Sequence, residues 1–243
     1  GYSLIAIGLA AALGYTIPDN FAFPYISRSL SEFWRRWHIS LSTWLRDYLY
    51  FPLGGNRKGK IRTYVNLMTV MTLGGLWHGA AWSYAVWGVY HGFGLAVERF
   101  FGFDKSKNQS KDPIPTKAQP IWKQLLLDSI SVLAIFSFVS LGWLLFKLPR
   151  FEEAVEFVVC LFRNVKIKQG WTYIIPTLIF SIPVVIYHIP HFPTWQNIIK
   201  DGAGKPLNQV WRIYQDLALG IMLAMIFLNS GNSKQFIYFH TNV

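Results

Sequence analysis

The chain has 243 residues, of which 52% are hydrophobic and only 14% charged, and its mean hydropathy is +0.28. A soluble domain carries about 25% charged residues, so this composition excludes an ordinary soluble protein and indicates one embedded in membrane lipid. The net charge of +11 is concentrated in loops between apolar stretches, the pattern of cytoplasmic loops, and nucleic acid is not an expected partner.

Residues 1–15 are apolar and read as a membrane span or its C-terminal part, stopped by the turn residues Pro18-Asp19-Asn20. The chain opens Gly1-Tyr2-Ser3-Leu4-Ile5, already inside that run and without a Met or a signal peptide. It therefore reads as the C-terminal portion of a longer protein with further spans upstream. Ser29-Leu30-Ser31-Glu32 fits a capping box and predicts a helix from there to about Phe51, where Pro52 and Gly54-Gly55 stop it. Phe33, Trp34, Trp37, Leu41, Trp44, Leu45, Tyr48 and Leu49 recur every three or four residues and form one wide apolar face. Such a helix lies in the interface or lines a cavity enclosed by protein. The segment 54–62 is a basic turn, better read as a cytoplasmic anchor than as a phosphate-binding loop.

Residues 63–97 then form thirty-five positions without a charge, bounded by Arg62 and Glu98. As one helix this run would be about 52 Å long, against about 30 Å of hydrocarbon. Gly74-Gly75 and Gly79 flank His78, and the run is expected to break there into two helices, one of them a candidate re-entrant segment. Residues 99–123 are a basic, polar loop. Residues 125–146 are the next span, with Asp128 near its edge, and 150–168 an amphipathic interfacial helix. A span over 171–187 is kinked at Pro176 and Pro183, and 217–229 forms the core of the last. The lone Cys160 excludes an internal disulfide.

The segments 28–62 and 99–123 carry eight and six basic residues against two acidic residues each, which places both on the cytoplasmic side. An even number of crossings, or a re-entrant pair, must separate them. The expected fold is all-α and polytopic: about five to six transmembrane or re-entrant helices plus interfacial amphipathic helices, in one membrane domain over 1–243.

An ionisable group inside so apolar a run is costly, and His78 is the leading functional candidate. A buried imidazole stays neutral near pH 7 and can accept a proton from a hydroxyl as its oxygen attacks an acyl carbonyl. The bland alternative is a histidine that only bonds a helix carbonyl. Trp77 and Trp82 can wall a pocket around it. Metal is not expected: His188 and His191 are separated by Pro190, and no carboxylate or thiolate completes a ligand set. No Gly-x-Ser-x-Gly elbow is present.

The run from Phe33-Trp34-Arg35-Arg36-Trp37-His38-Ile39-Ser40-Leu41-Ser42 to Asp47-Tyr48-Leu49-Tyr50, then Pro52-Leu53-Gly54-Gly55-Asn56-Arg57, resembles the membrane-bound O-acyltransferase family, and within it the bacterial branch that acetylates alginate. Leu76-Trp77-His78-Gly79-Ala80-Ala81-Trp82 and Trp87-Gly88-Val89-Tyr90-His91-Gly92 are similar to segments of the same branch. The resemblance is dense over residues 1–100 and thin beyond. It implies a funnel through the bacterial inner membrane, an acyl thioester such as acetyl-CoA as co-substrate without a bound cofactor, and a polysaccharide acceptor. It makes His78 the catalytic residue and His38 a second active-site position, with His91, Trp77 and Asp47 as candidate support. Arg57, Lys58 and Lys60 are candidates for attracting the donor. Periplasmic acetyltransferases or an acyl-carrier protein are the implied partners. D-alanyl transfer from a carrier to teichoic acid, and a non-catalytic subunit that passes acyl groups onward, stand as alternatives.

Overall fold

A computed structural model describes residues 2–102, 120–148 and 150–163, with isolated positions between 178 and 221. The chain divides into Gly1–Asn164 and Val165–Val243, and every element below belongs to the first unit. The expected spans over 171–187 and 217–229 lie for the most part outside the described residues.

The regular elements among the described residues are helices. Helix α1 (Tyr2–Ala12) ends sooner than Pro18 requires. Gly14 sits at φ 82°, and Gly14 and Tyr15 donate their amides to Ala11 and Ala10 at 3.0 and 2.8 Å, a glycine-terminated Schellman stop. A 3-10 turn (Pro24–Ile26) leads to α2 (Leu30–Arg36). Ser29 caps α2 as the sequence suggests, its hydroxyl accepting from the Glu32 amide at 3.0 Å. The Glu32 carboxylate reaches back one residue further than a capping box requires, to the Arg28 amide at 2.9 Å.

The single helix expected from Ser29 to Phe51 is three pieces. After α2 come α3 (Ile39–Leu45) and a π-helical turn (Arg46–Tyr50). The break falls at Trp37-His38. Trp37 is extended and pairs as an isolated bridge with Phe21, and His38 takes a left-handed conformation. Backbone pairing with residues 20–22 wins over helix continuation, a tertiary effect that the three-to-four periodicity does not register.

The uncharged run breaks where expected. Helix α4 (Lys60–Leu76) and helix α5 (Trp82–Phe100) form an antiparallel hairpin, with His78 in the connection. A Cβ on Gly75 would collide with the Tyr84 carbonyl, and one on Gly88 with the Met71 carbonyl, so these glycines bring the two backbones into contact. Water exclusion does not hold helices together in lipid; close backbone packing of this kind does. The hairpin returns Arg99 to the same end as Lys60, as the charge pattern of the flanking loops requires.

Helix α6 (Ile121–Lys147) is long and apolar enough to cross a membrane, and most of its surface is uncovered. Among the described residues it is the one helix that meets that test. Helix α7 (Phe151–Arg163) is amphipathic, within the interfacial segment read from the sequence. The core joins α2, α4, α5 and α6 through Leu30, Phe33, Met71, Leu95 and Val139. Two polar ties fix α2 in it. The buried Glu98 carboxylate of α5 accepts the Leu30 amide and, at 3.1 Å, the Ser31 amide. Arg28 pairs at 3.2 Å with Asp128 of α6, which is 4% exposed.

Candidate active site

The connection between α4 and α5 begins as a tightening of the last α4 turn. His78 donates its amide to Gly75 at 3.0 Å and Gly79 donates to Leu76 at 3.1 Å. Gly79 lies directly against the Tyr84 ring, where any side chain would collide. The half-buried His78 imidazole is walled by aromatic rings from three places. Trp77 and Phe146 lie at 5.0 Å between centroids and Trp87 at 5.7 Å, all edge-on.

His38 approaches the same place from the break between α2 and α3. Its ring meets Trp77 edge-on at 6.1 Å, so His38 and His78 both pack on Trp77. Burial pushes the His38 imidazole pKa down, partly offset by a contact with its own backbone. His38 holds φ 44°, ψ 56°. A non-glycine residue there is strained by about 1–3 kcal/mol and persists only where its surroundings impose it.

Beside His78 opens a partly enclosed cavity of about 190 Å³. Trp34 of α2, Leu41 and Leu45 of α3, Leu67, Val70, Met71 and Gly74 of α4, and Trp87 and Leu95 of α5 form a wall that is almost entirely apolar. Arg46 and Tyr50 of the π-helical turn contribute polar ends, and His78 contributes the imidazole. Such a space suits an apolar or neutral acyl arm more than a charged ligand.

The remaining predicted residues separate. Trp77 is 60% exposed and packs against both histidine rings. His91 does not line the cavity. It is fully buried in a cage of Trp34, Trp87, Tyr90 and Phe138, and neither ring nitrogen has a hydrogen-bond partner among the described residues. Asp47 does not line the cavity; hydrogen bonds from Arg46, the shorter at 2.7 Å, hold its carboxyl below the usual carboxylate range. Arg57 and Lys58 line a second concavity of about 410 Å³ with Phe51, Pro52, Gly54, Gly55 and Asn56, while Lys60 starts α4 outside it. That turn is clamped by the buried Asn66, which donates to the Leu53 and Gly55 carbonyls at 3.2 and 3.0 Å. Among the described residues, no three metal-ligating side chains converge.

Sequence reasoning missed Asn20, Glu98 and Asn66 as organisers of this region. Asn66 carried a signal, being an amide inside the uncharged run; Asn20 carried none beyond its turn propensity. Glu98 was noted only as the end of that run.

A glycine-packed helical hairpin carries an imidazole in its break, on the wall of a sheltered apolar cavity. Known proteins place it more closely. Residues 1–118, just under half of the chain, match the model of the membrane-bound O-acyltransferase family. The chain is 46% identical over 163 residues to a probable alginate O-acetylase of Pseudomonas putida, covering 67% of this chain and 30% of the relative. It is 36% identical over 156 residues to a peptidoglycan O-acetyltransferase of Helicobacter pylori, covering 64% and 27%. A teichoic acid D-alanyltransferase of Streptococcus thermophilus is 31% identical over 158 residues, covering 60% and 37%. The chain thus spans about a third or less of the length of these two O-acetylating relatives.

Proposed function

We propose that this chain forms the reaction site of a membrane O-acyltransferase of the bacterial inner membrane. It moves an acetyl group from a thioester on the cytoplasmic side, acetyl-CoA, to hydroxyls of a polysaccharide on the outer side. The observation that carries this reading is the position of His78, in the break of the uncharged hairpin and on the wall of an apolar cavity.

His78 acts as general base. It accepts the proton of the acceptor hydroxyl as that oxygen bonds to the acetyl carbonyl carbon; the carbon–sulfur bond then breaks, and the thiolate leaves and takes up a proton. Positioned acid–base groups of this kind supply about 10²–10⁴ in rate. His38, which shares the Trp77 ring with His78, orients the acyl carbonyl or assists proton transfer. Trp77, Trp87 and Phe146 keep water from the thioester and fix the His78 ring. Arg57 and Lys58, with Lys60 nearby, attract the anionic donor; replacing all three by Gln raises the donor KM and leaves kcat unchanged, whereas an ordinary topology signal leaves both unchanged. Periplasmic acetyltransferases working beside it on the same polysaccharide are the proposed partners.

The higher identity to an alginate O-acetylase than to a D-alanyltransferase favours acetyl transfer over D-alanyl transfer. The test is acceptor acylation by the intact purified protein with labelled acetyl-CoA, run beside a D-alanyl-loaded carrier protein. Transfer from acetyl-CoA supports this reading. Transfer from the carrier alone would replace the acyl group, and label reaching the acceptor only when a second enzyme is added would make the protein a passage rather than a catalyst.

A further inference from the structure

We propose that Asn20 is a positioning residue for His38, an inference that rests on the role given to His38 above. His38 is the N-cap of α3, the position whose side chain ordinarily accepts a hydrogen bond from one of the first helical amides. The imidazole makes no such bond. Asn20 supplies the cap from outside the helix. Its backbone carbonyl accepts the Ile39 amide at 3.0 Å and its side-chain Oδ1 accepts the Ser40 amide at 2.9 Å. Ile39 and Ser40 are the first two residues of α3. One residue thus satisfies two donors that a helix start otherwise leaves open.

The consequence is that the His38 ring is released from capping. Adjacent bonds close the arrangement: the Ala22 amide donates to the Arg36 carbonyl at 2.9 Å, Phe21 bridges Trp37, and the Ser42 hydroxyl donates to the Trp37 carbonyl at 3.0 Å. Residue 38 is held from both sides in a left-handed turn that the imidazole would not otherwise choose. In that turn the ring lies on Trp77, which the His78 ring also contacts. With the Ser40 bond lost, the turn can relax toward ordinary helical dihedrals and the ring leaves Trp77. A misplacement of about 1 Å costs up to about 10²-fold in rate.

The experiment uses the intact protein and four variants: Asn20→Ala, Asn20→Asp, His38→Ala and the double Asn20→Ala/His38→Ala. Asn20→Ala is expected to lower kcat by about tenfold or more, with the donor KM within about twofold of wild type. Asn20→Asp keeps an acceptor at the same reach and restores the rate to within about threefold of wild type. In the His38→Ala background, Asn20→Ala changes the rate by less than about twofold, because a residue acting through His38 has nothing left to position. Should Asn20→Ala fail to accumulate, Asn20→Gln takes its place, since its longer side chain carries the carbonyl past the Ser40 amide.

An Asn20→Ala rate within about twofold of wild type, or a loss that multiplies fully with that of His38→Ala, would overturn the proposal. A full rate in His38→Ala is a different failure. It removes His38 from the reaction, and with it the reason for positioning the ring.

Discussion

Removing the Glu98 carboxylate detaches α2 from α5. Glu98 is 6% exposed and accepts the amides of Leu30 and Ser31, the first two residues of α2. In Glu98→Ala the buried Leu30 amide has no substitute acceptor in this packing, at a cost of about 1–3 kcal/mol. The half-exposed Ser31 amide can regain water and loses about 0.5–1.5 kcal/mol. The anion at the helix N-terminus contributes a further 0.3–1 kcal/mol or so. The sum is a destabilisation of about 2–5 kcal/mol, and Glu98→Gln, which keeps one carbonyl acceptor, costs about 1 kcal/mol. Thermal unfolding of the detergent-solubilised intact protein measures both, and the order wild type, Gln, Ala is the expected result. Glu98→Ala melting with wild type would refute the claim that this carboxylate holds α2 in place.

Gly88→Leu places a side chain against the Met71 carbonyl, so the α4–α5 hairpin cannot close and the protein fails to accumulate in membranes; a Gly88→Leu protein with a wild-type melt contradicts the packing described. Acid also destabilises through His38. Its folded pKa lies below the ordinary 6.5, so the unfolded chain takes up the proton first, and stability present above pH 6.5 is lost as pH falls through the folded value. Melts of wild type and His38→Asn between pH 7.5 and 5 check this, with a shallower slope expected for the variant. Arg28→Ala and Asp128→Asn each lower the melting temperature, and a double-mutant cycle returns a coupling between them, since they pair at 3.2 Å; strict additivity would show the pair to be idle.

Helix starts and stops marked by local chemistry were legible in the sequence. Ser29 begins α2, and the glycines around His78 end α4 close to the expected position, because capping and close backbone approach depend on residues near in the chain. Asp128 was visible only as a charge at the edge of a span, and its partner Arg28 is a hundred positions away. The break at His38 was not legible, since it depends on Asn20 and Phe21 pairing with a segment whose own periodicity favours an unbroken helix. Likewise, His78, His38 and His91 carry the same side chain, yet the fold sorts them. His78 lines the cavity, His38 shares the Trp77 ring with it, and His91 is sealed among rings. Glu98 marked the end of an apolar run in the sequence, while its capping role needed the α2 N-terminus to be brought beside it.

In the proposed reaction His78 performs the proton transfer that accompanies acetylation of an envelope polysaccharide. Mass spectrometry of that polysaccharide, from cells carrying the wild-type protein and from cells carrying His78→Ala at equal membrane abundance, tests it most directly. O-acetyl content is expected to fall by about 10²-fold or more in His78→Ala. Acetylation within a few-fold of wild type would contradict it.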